Sequence, residues 1–382
     1  MIQLFKTKIH EEAIRNVEEV LRSGWVGLGP KVEEFEKKFA EYIGAPYAVA
    51  FSSATAALHV AVRLLNLRPG ADVITTPLTF VSSNHVLLYE NLTPIFADID
   101  IQTGNLSLDS IRKACRLHTI PKVIDKTFHP RVLMFVHYGG NVGDLDLLYE
   151  IAQEYKLTII EDCAHAAGAM YCRHHSDHQE RVGARAKLAC FSFHAVKNMP
   201  TGDGGMLTTT DEEFAHRAKT LRWLGVDKST ADRTGPTYGW RYDVKEVGFK
   251  SYMNDITAAL GLGQLPHLDT DNTLRVGIYE TYKNAGLPML PSKPGYAHHL
   301  AVMLAETAEQ KEKIQKSLTE DNIQHGCHYL PNYYYSMYKD NIRIDGCHNT
   351  EDFYNRCISL PNHLYLQPED LMQVVDTVKE VV

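Results

Sequence analysis

Through its first two-thirds the chain alternates short apolar runs with amphipathic stretches, and this exchange of periods constrains its fold more than any other feature. Residues 47–51, 73–76, 93–97, 132–136, 157–160, 188–192 and 205–209 read as strands. Residues 55–65, 82–89, 108–115 and 145–155, which fall between them, read as helices. A strand followed by a helix before the next strand needs a crossover, so the strands run mostly parallel and helices cover both faces of their sheet. Ahead of the first strand, residues 10–22 carry Ala13, Val17, Val20 and Leu21 at helical spacing and stop at Ser23-Gly24. Pro30 suits the first turn of a second helix, with Val32, Phe35 and Phe39 on one face.

The pattern changes near Asn254. Residues 255–284 read as one long helix with a kink at Pro266, residues 300–304 as a strand, and residues 309–322 and 368–381 as helices. A chain of 382 residues exceeds what one core usually holds. The expected organisation is therefore a large α/β domain over residues 1–254, N-terminal segment included, and a connecting helix with a smaller α+β domain over residues 255–382. Residues 172–185 are polar and rich in histidine and read as a surface loop.

A net charge of −8 without a lysine/arginine block argues against a nucleic-acid partner. No apolar run approaches the roughly 20 residues of a membrane span, and the N-terminus lacks the apolar stretch of a signal peptide. The seven cysteines are scattered and show no CxxC spacing. Together these features lead to the expectation of a cytoplasmic protein with reduced thiols and no membrane partner.

Ligands of such sheets sit beyond the carboxyl ends of the strands. Asp162 follows the apolar run Leu157-Thr158-Ile159-Ile160. A carboxylate there can bond a protonated pyridine nitrogen, and equally can cap a helix or join a loop ion pair. Ser52-Ser53-Ala54-Thr55 stands where a strand turns into a helix. Its hydroxyls and unpaired N–H groups form an anion site, although serine and threonine are also the commonest helix caps. Lys197 follows the run Cys190-Phe191-Ser192-Phe193 and precedes Gly202, Gly204 and Gly205. A lysine held there can bond covalently to an aldehyde cofactor, the plain alternative being a solvated side chain. Ser192 adds a further phosphate contact, and Phe80 either stacks on a flat heteroaromatic ring or packs in the core. Amine, anion site and carboxylate are the three things pyridoxal phosphate requires.

Other chemistries fit less well. Gly27-Leu28-Gly29 lacks the third glycine of a dinucleotide fingerprint and follows no clear strand. Cys172, His174, His175 and His178 match no closed four-ligand pattern, so no metal is expected. A non-catalytic protein that merely binds cofactor or nucleotide has no need of the lysine, aspartate and serine together.

The motifs Gly24-Trp25-Val26…Gly29-Pro30, Ser52-Ser53-Ala54-Thr55-Ala56-Ala57, Thr79-Phe80, Glu161-Asp162-Cys163-Ala164-His165-Ala166, Ser192-Phe193-His194…Lys197 and Gly248-Phe249-Lys250…Asp255-Ile256-Thr257-Ala258-Ala259 occur in that order. Taken together they closely resemble the DegT/DnrJ/EryC1/StrS sugar-nucleotide aminotransferases, which are pyridoxal phosphate enzymes of the aspartate-aminotransferase-like fold type I. The resemblance runs from about Gly24 to the C-terminus. It implies that Lys197 bonds the cofactor and later moves protons, that Asp162 partners the pyridine nitrogen, and that His165 contacts the ring hydroxyl. It also implies that Ser192, Ala54 and Thr55 hold the phosphate and that Phe80 stacks on the ring, and it sets Lys250 where many relatives have an asparagine that reaches the phosphate from the neighbouring subunit. The active sites would then be shared across a homodimer. Trp25, His328 and Tyr329 fall where substrate contacts are expected.

Three departures stand out. Ala54 replaces a glycine found in many relatives, Tyr252 stands where an arginine is common, and residues 172–185 exceed the usual loop. The resemblance implies two half-reactions, in which L-glutamate leaves as 2-oxoglutarate and a nucleotide diphosphate keto-sugar takes the amine. The Glu-Asp-Cys-Ala-His and Ser-Ser-Ala-Thr variants look most like the branch that aminates C4 of a 4-keto-6-deoxyhexose or 4-keto-pentose. Amination at C3 and amination of a keto-inositol remain alternatives. One branch with histidine in place of the lysine performs dehydration, and Lys197 separates the chain from it.

Overall fold

The structure, a computed structural model, describes residues 1–117, 131–174, 179–227, 241–341 and 343–381. The chain begins with α1 (Glu11–Ser23) and α2 (Pro30–Ile43), followed by β1 (Tyr47–Phe51), α3 (Ala54–Leu64), β2 (Asp72–Thr75), α4 (Ser82–Tyr89) and β3 (Thr93–Phe96). Next come α5 (Leu108–Leu117), β4 (Arg131–Val136), α6 (Leu145–Tyr155), β5 (Leu157–Asp162), β6 (Met170–Cys172), β7 (Gln179–Arg181), β8 (Leu188–Ser192), β9 (Gly205–Thr209) and α7 (Glu212–Leu221). The remainder holds α8 (Asp255–Gln264), α9 (Leu268–Asn284), β10 (Ala301–Leu304), α10 (Ala308–Glu320), α11 (His348–Arg356), β11 (Cys357–Leu360) and α12 (Pro368–Lys379).

Seven strands form one sheet in the order β1-β9-β8-β5-β4-β2-β3. Its pairs are parallel except those of β9, which runs against both β1 and β8. Successive residues of each strand point to opposite faces, and both sets are apolar. Ala48, Ile74, Leu133, Ile159 and Phe191 pack under α2, α5 and α6, whereas Val49, Val73, Met134, Ile160 and Leu207 pack under α3, α4 and α7. A sheet covered on both sides explains why its strands read as unbroken apolar runs. This is the α/β arrangement of a mostly parallel sheet flanked by helices that the alternating pattern predicts.

The long helix expected from residue 255 is divided. α8 stops at Gln264, Leu265–His267 form a tighter turn, and α9 resumes at Leu268. Pro266 lacks an N–H to donate, so the regular ladder breaks there. Beyond it, β10 and β11 pair antiparallel, and a separate apolar cluster joins Tyr282, Met303, Ile314 and Val374. Ile2 belongs to this cluster and bridges to Ile323.

The surface loop expected over residues 172–185 is corrected in its flanks. Met170–Cys172 and Gln179–Arg181 pair as an antiparallel hairpin. Tyr171 is buried, and Arg181 lies 3.8 Å over the Tyr42 ring while donating to both oxygens of Asp269 at 3.0 and 2.8 Å. These contacts are made with distant segments, so the local histidine-rich composition concealed them. His175 and His178 lie outside the described residues. Among the described residues, no helix is long and apolar enough to cross a membrane.

Candidate active site

A cavity of about 320 Å³ opens at the carboxyl end of the sheet, within the size range of small-molecule sites. Its wall takes Ser53, Ala54 and Thr55 from the start of α3, Thr79 and Phe80 from the turn before α4, and Asp162 and His165 from the end of β5. Ser192 and Lys197 follow from β8 and its exit, and His328 and Tyr329 from the loop ahead of α11.

Strand alternation sends Asp162 and Glu161 to opposite faces. Glu161 is taken up in a buried network in which Tyr149 donates to it at 2.5 Å and His137 Nε2 lies 3.1 Å away. Asp162 faces the cavity, where Ser83 Oγ donates to its Oδ2 at 2.7 Å and the Ala164 N–H to its Oδ1 at 3.0 Å. Burial pushes the Asp162 carboxyl above its usual range, while those two hydrogen bonds and the Lys197 charge oppose the rise. A cationic N–H brought against this carboxyl would favour its ionised form. Lys197 is half-buried. Burial lowers its ammonium to about 8, with Asp162 opposing, so far more of it is free amine near neutral pH than of a solvated lysine. Its Nζ lies 3.4 Å from His299 Nε2.

The end of the cavity beside α3 presents backbone N–H groups. Ser53 caps α3, with its Oγ accepting from Ala56 N–H at 3.1 Å. The first-turn amides of Ala54 and Thr55 have no intrahelical acceptor by position. Ser192 pairs with Gly205 across β8 and β9, which brings the buried Ser192 beside the helix start. This approach requires Gly205, because a Cβ there would lie 2.4 Å from the Ser53 carbonyl carbon and 2.5 Å from Ala54 N. Gly205→Ala is expected to destabilise the protein by about 1–3 kcal/mol, as overpacked cores do. Urea unfolding measures this, and an unchanged midpoint would mean the helix start yields freely.

His165 is fixed by two contacts. The Gly139 N–H donates to its Nδ1 at 3.1 Å, and Tyr329 Oη lies 3.0 Å from its Nε2. Burial holds the imidazole well below its ordinary value, so the ring is neutral. With Nδ1 accepting, the proton resides on Nε2 and is donated to Tyr329. Burial keeps the Tyr329 hydroxyl protonated, and its own proton is left for another acceptor. Phe80 is 60% exposed, with its ring centroid 6.2 Å from that of Tyr329. Core packing is thereby excluded for Phe80, which forms a wall of the cavity.

Two expected contacts are not brought to this cavity by their own chain. The Trp25 indole lies against Gly29, where a Cβ would fall 1.8 Å from its Nε1. Lys250 is exposed, with Nζ 4.3 Å over the Trp223 ring, although the adjacent Ser251 carbonyl accepts from Ser52 N–H at 2.8 Å. Tyr252 meets Trp223 edge-on. In the loop after Tyr329, Asn332 donates to the Thr79 carbonyl at 2.9 Å and Tyr333 packs on Phe96, so only the first part of that loop lines the cavity. Ser83, Asn198 and His299 were not apparent from the sequence. Ser83 sits 79 residues from the carboxylate it serves, and no local pattern signals such a pairing.

The model of the DegT/DnrJ/EryC1/StrS aminotransferase family matches residues 7–379. The chain is 35% identical over 387 residues to the spore coat polysaccharide biosynthesis protein SpsC of Bacillus subtilis, covering 98% of this chain and 95% of that protein. Among solved structures, the PLP-form of Spr1654 from Streptococcus pneumoniae superposes with a TM-score of 0.87 at 28% identity, over 99% of this chain and 97% of that one. PseC of Helicobacter pylori, an aminotransferase involved in the biosynthesis of pseudoaminic acid, gives a TM-score of 0.86 at 27% identity, over 99% of this chain and 98% of that one.

Proposed function

The chain belongs to the DegT/DnrJ/EryC1/StrS aminotransferase family, and on that premise we propose that it transfers the amino group of L-glutamate to C4 of a nucleotide-diphosphate-linked 4-keto-6-deoxyhexose or 4-keto-pentose. It is a pyridoxal phosphate-dependent aminotransferase. The observation that carries the reading is that Lys197, Asp162 and an anion cradle at the start of α3 line one cavity.

The donor set suits pyridoxal phosphate. The close approach that Gly205 allows gathers the leading amides of α3 and the Ser192 hydroxyl where a phosphate needs them. Asp162 is a buried carboxylate that, among the described residues, touches hydrogen-bond donors but no contacting cation. When bound, the cofactor supplies an electron sink for a carbanion. Lys197 would hold it through Nζ, Asp162 would hold its ring nitrogen, and the His165–Tyr329 pair would meet its ring hydroxyl. Phe80 would cover the ring, and Ser192, Ala54 and Thr55 would hold the phosphate. Once released, Lys197 Nζ takes the proton from the α-carbon of glutamate and later returns one to the sugar carbon that receives nitrogen. With the domain boundary proposed at residue 254, Lys197 and Asp162 belong to the larger unit and His328 and Tyr329 to the smaller, so the substrate enters between them.

Among the described residues lining the cavity, Lys197 is the sole lysine or arginine. That supports the uncharged, hydroxyl-rich sugar ring of the acceptor, rather than its diphosphate, lying against His328 and Tyr329. It also leaves the phosphate without a side-chain cation from its own chain, which supports Lys250 arriving from a second subunit of a homodimer. Trp25 is proposed to act on the substrate from that same junction. Mixing Lys197→Ala and Lys250→Ala proteins is expected to restore activity, because each hybrid dimer regains one intact site. Failure of the mixture to exceed either parent would remove Lys250 from the neighbouring site.

Incubation with glutamate and a panel of nucleotide-linked keto-sugars, with products read by mass and NMR, tests the substrate. Nitrogen at C4 supports the proposal. Nitrogen at C3, or turnover of a keto-inositol alone, replaces it.

A further inference from the structure

We propose that His299 is a positioning residue for Lys197, its Nε2 lone pair accepting a hydrogen bond from the ε-amine and aiming it into the cavity. The inference rests on Lys197 being the reacting amine. The direction of this hydrogen bond follows from a chain of contacts that leaves one arrangement of protons. Asn272 Nδ2 donates to the Ala167 carbonyl at 2.9 Å, so its Oδ1 is an acceptor. Asn198 Nδ2 donates to that Oδ1 at 2.7 Å and to the Ala297 carbonyl at 2.8 Å, which uses both its protons. Backbone carbonyls only accept, so neither amide can be turned over. Asn198 Oδ1 therefore faces His299 Nδ1 at 3.1 Å, and that nitrogen must carry the proton.

A neutral imidazole protonated at Nδ1 has a bare lone pair at Nε2. Lys197 Nζ lies 3.4 Å from it. Burial, with the Lys197 and Arg275 charges adding to it, keeps His299 far below its ordinary value and hence neutral. The ring is also held mechanically. Phe5 stacks on it at 5.7 Å and His165 lies against it at 4.4 Å. The Leu300 N–H donates to the Gly139 carbonyl at 3.2 Å and the Ala297 N–H to the Gly140 carbonyl at 3.1 Å. Gly140 has φ +89°, and a Cβ there would fall 3.1 Å from His299 N, so the segment can approach only because that residue is glycine.

Lys197 is thus faced by Asp162, which favours its charge, and by the neutral rings of His165, His299 and His328. Of these rings, only His299 has a nitrogen at hydrogen-bonding distance from Nζ. Each time Lys197 is released during turnover, His299 keeps the amine from turning away and stabilises its ammonium form while it holds a proton.

Competitive trace acetylation of the full-length apoprotein across pH, with the Lys197 peptide read by mass spectrometry, reports the titration of this one amine. Loss of the acceptor disfavours the ammonium, so His299→Phe, which preserves the stacking, is expected to lower the Lys197 midpoint by about one unit. His299→Gln, which restores an acceptor, is expected to keep the midpoint near that of the parent. Thermal melting confirms that both variants are folded. An unchanged midpoint in His299→Phe would overturn the proposal, and so would an equal fall in both variants, which would trace the effect to packing. Protection of Lys197 by added pyridoxal phosphate is read in the same experiment. Loss of that protection would sink the parent reading independently of His299.

Discussion

Lys197→Ala is expected to lower glutamate/2-oxoglutarate exchange by about 10⁴-fold or more, because the proposed covalent attachment and proton transfer both depend on this one amine. No second primary amine lines the cavity among the described residues. His299 Nε2, 3.4 Å from the Lys197 amine, belongs to a ring whose other nitrogen is tied to Asn198. Isotope exchange between glutamate and 2-oxoglutarate measures the loss, and the visible spectrum of the bound cofactor should change with it. Because Lys197 is half-buried and forms no ion pair among the described residues, the variant should remain folded. Normal exchange in a folded variant would remove Lys197 from the reaction.

Asp162→Ala is expected to be nearly as severe. The carboxylate is buried and receives two hydrogen bonds, so its position is set before any ligand arrives. Breaking a buried pair of opposite charges costs about 3–5 kcal/mol, which corresponds to about 10²–10⁴-fold in rate or affinity. The variant also strands Ser83 and the Ala164 N–H, so cofactor retention and stability should both fall. Asp162→Asn separates the two effects, since the side chain keeps its shape but loses its charge. Equilibrium dialysis of pyridoxal phosphate and single-turnover rates with glutamate distinguish them. Rates equal to the parent in Asp162→Asn would point to another carboxylate.

Much of this site was legible because its residues stand at strand ends. Asp162 closes β5 and Ser192 closes β8, and the apolar runs before them mark those ends in the sequence itself. Ser53 and the leading residues of α3 were equally visible as a junction of strand and helix. Phe80 was less so. A phenylalanine in a turn after a strand reads as core or as wall with equal ease, and only its 60% exposure decided between them. The hairpin of β6 and β7 was missed because its stability comes from Tyr42 and Asp269, far away in the chain.

The sequence by itself determined the seven strands of the main sheet and the helices between the first five of them, the double-sided burial of the sheet, and the local placement of Lys197 and Asp162. Each of these depends on neighbours along the chain, where periodicity and turn chemistry act. Tertiary structure alone decided which remote groups meet them. Tyr329 reaches His165 across 164 residues, and His299 reaches Lys197 across 102. Such contacts leave no periodic trace, because hydrogen bonds between distant segments are set by how whole elements pack rather than by what lies beside each residue.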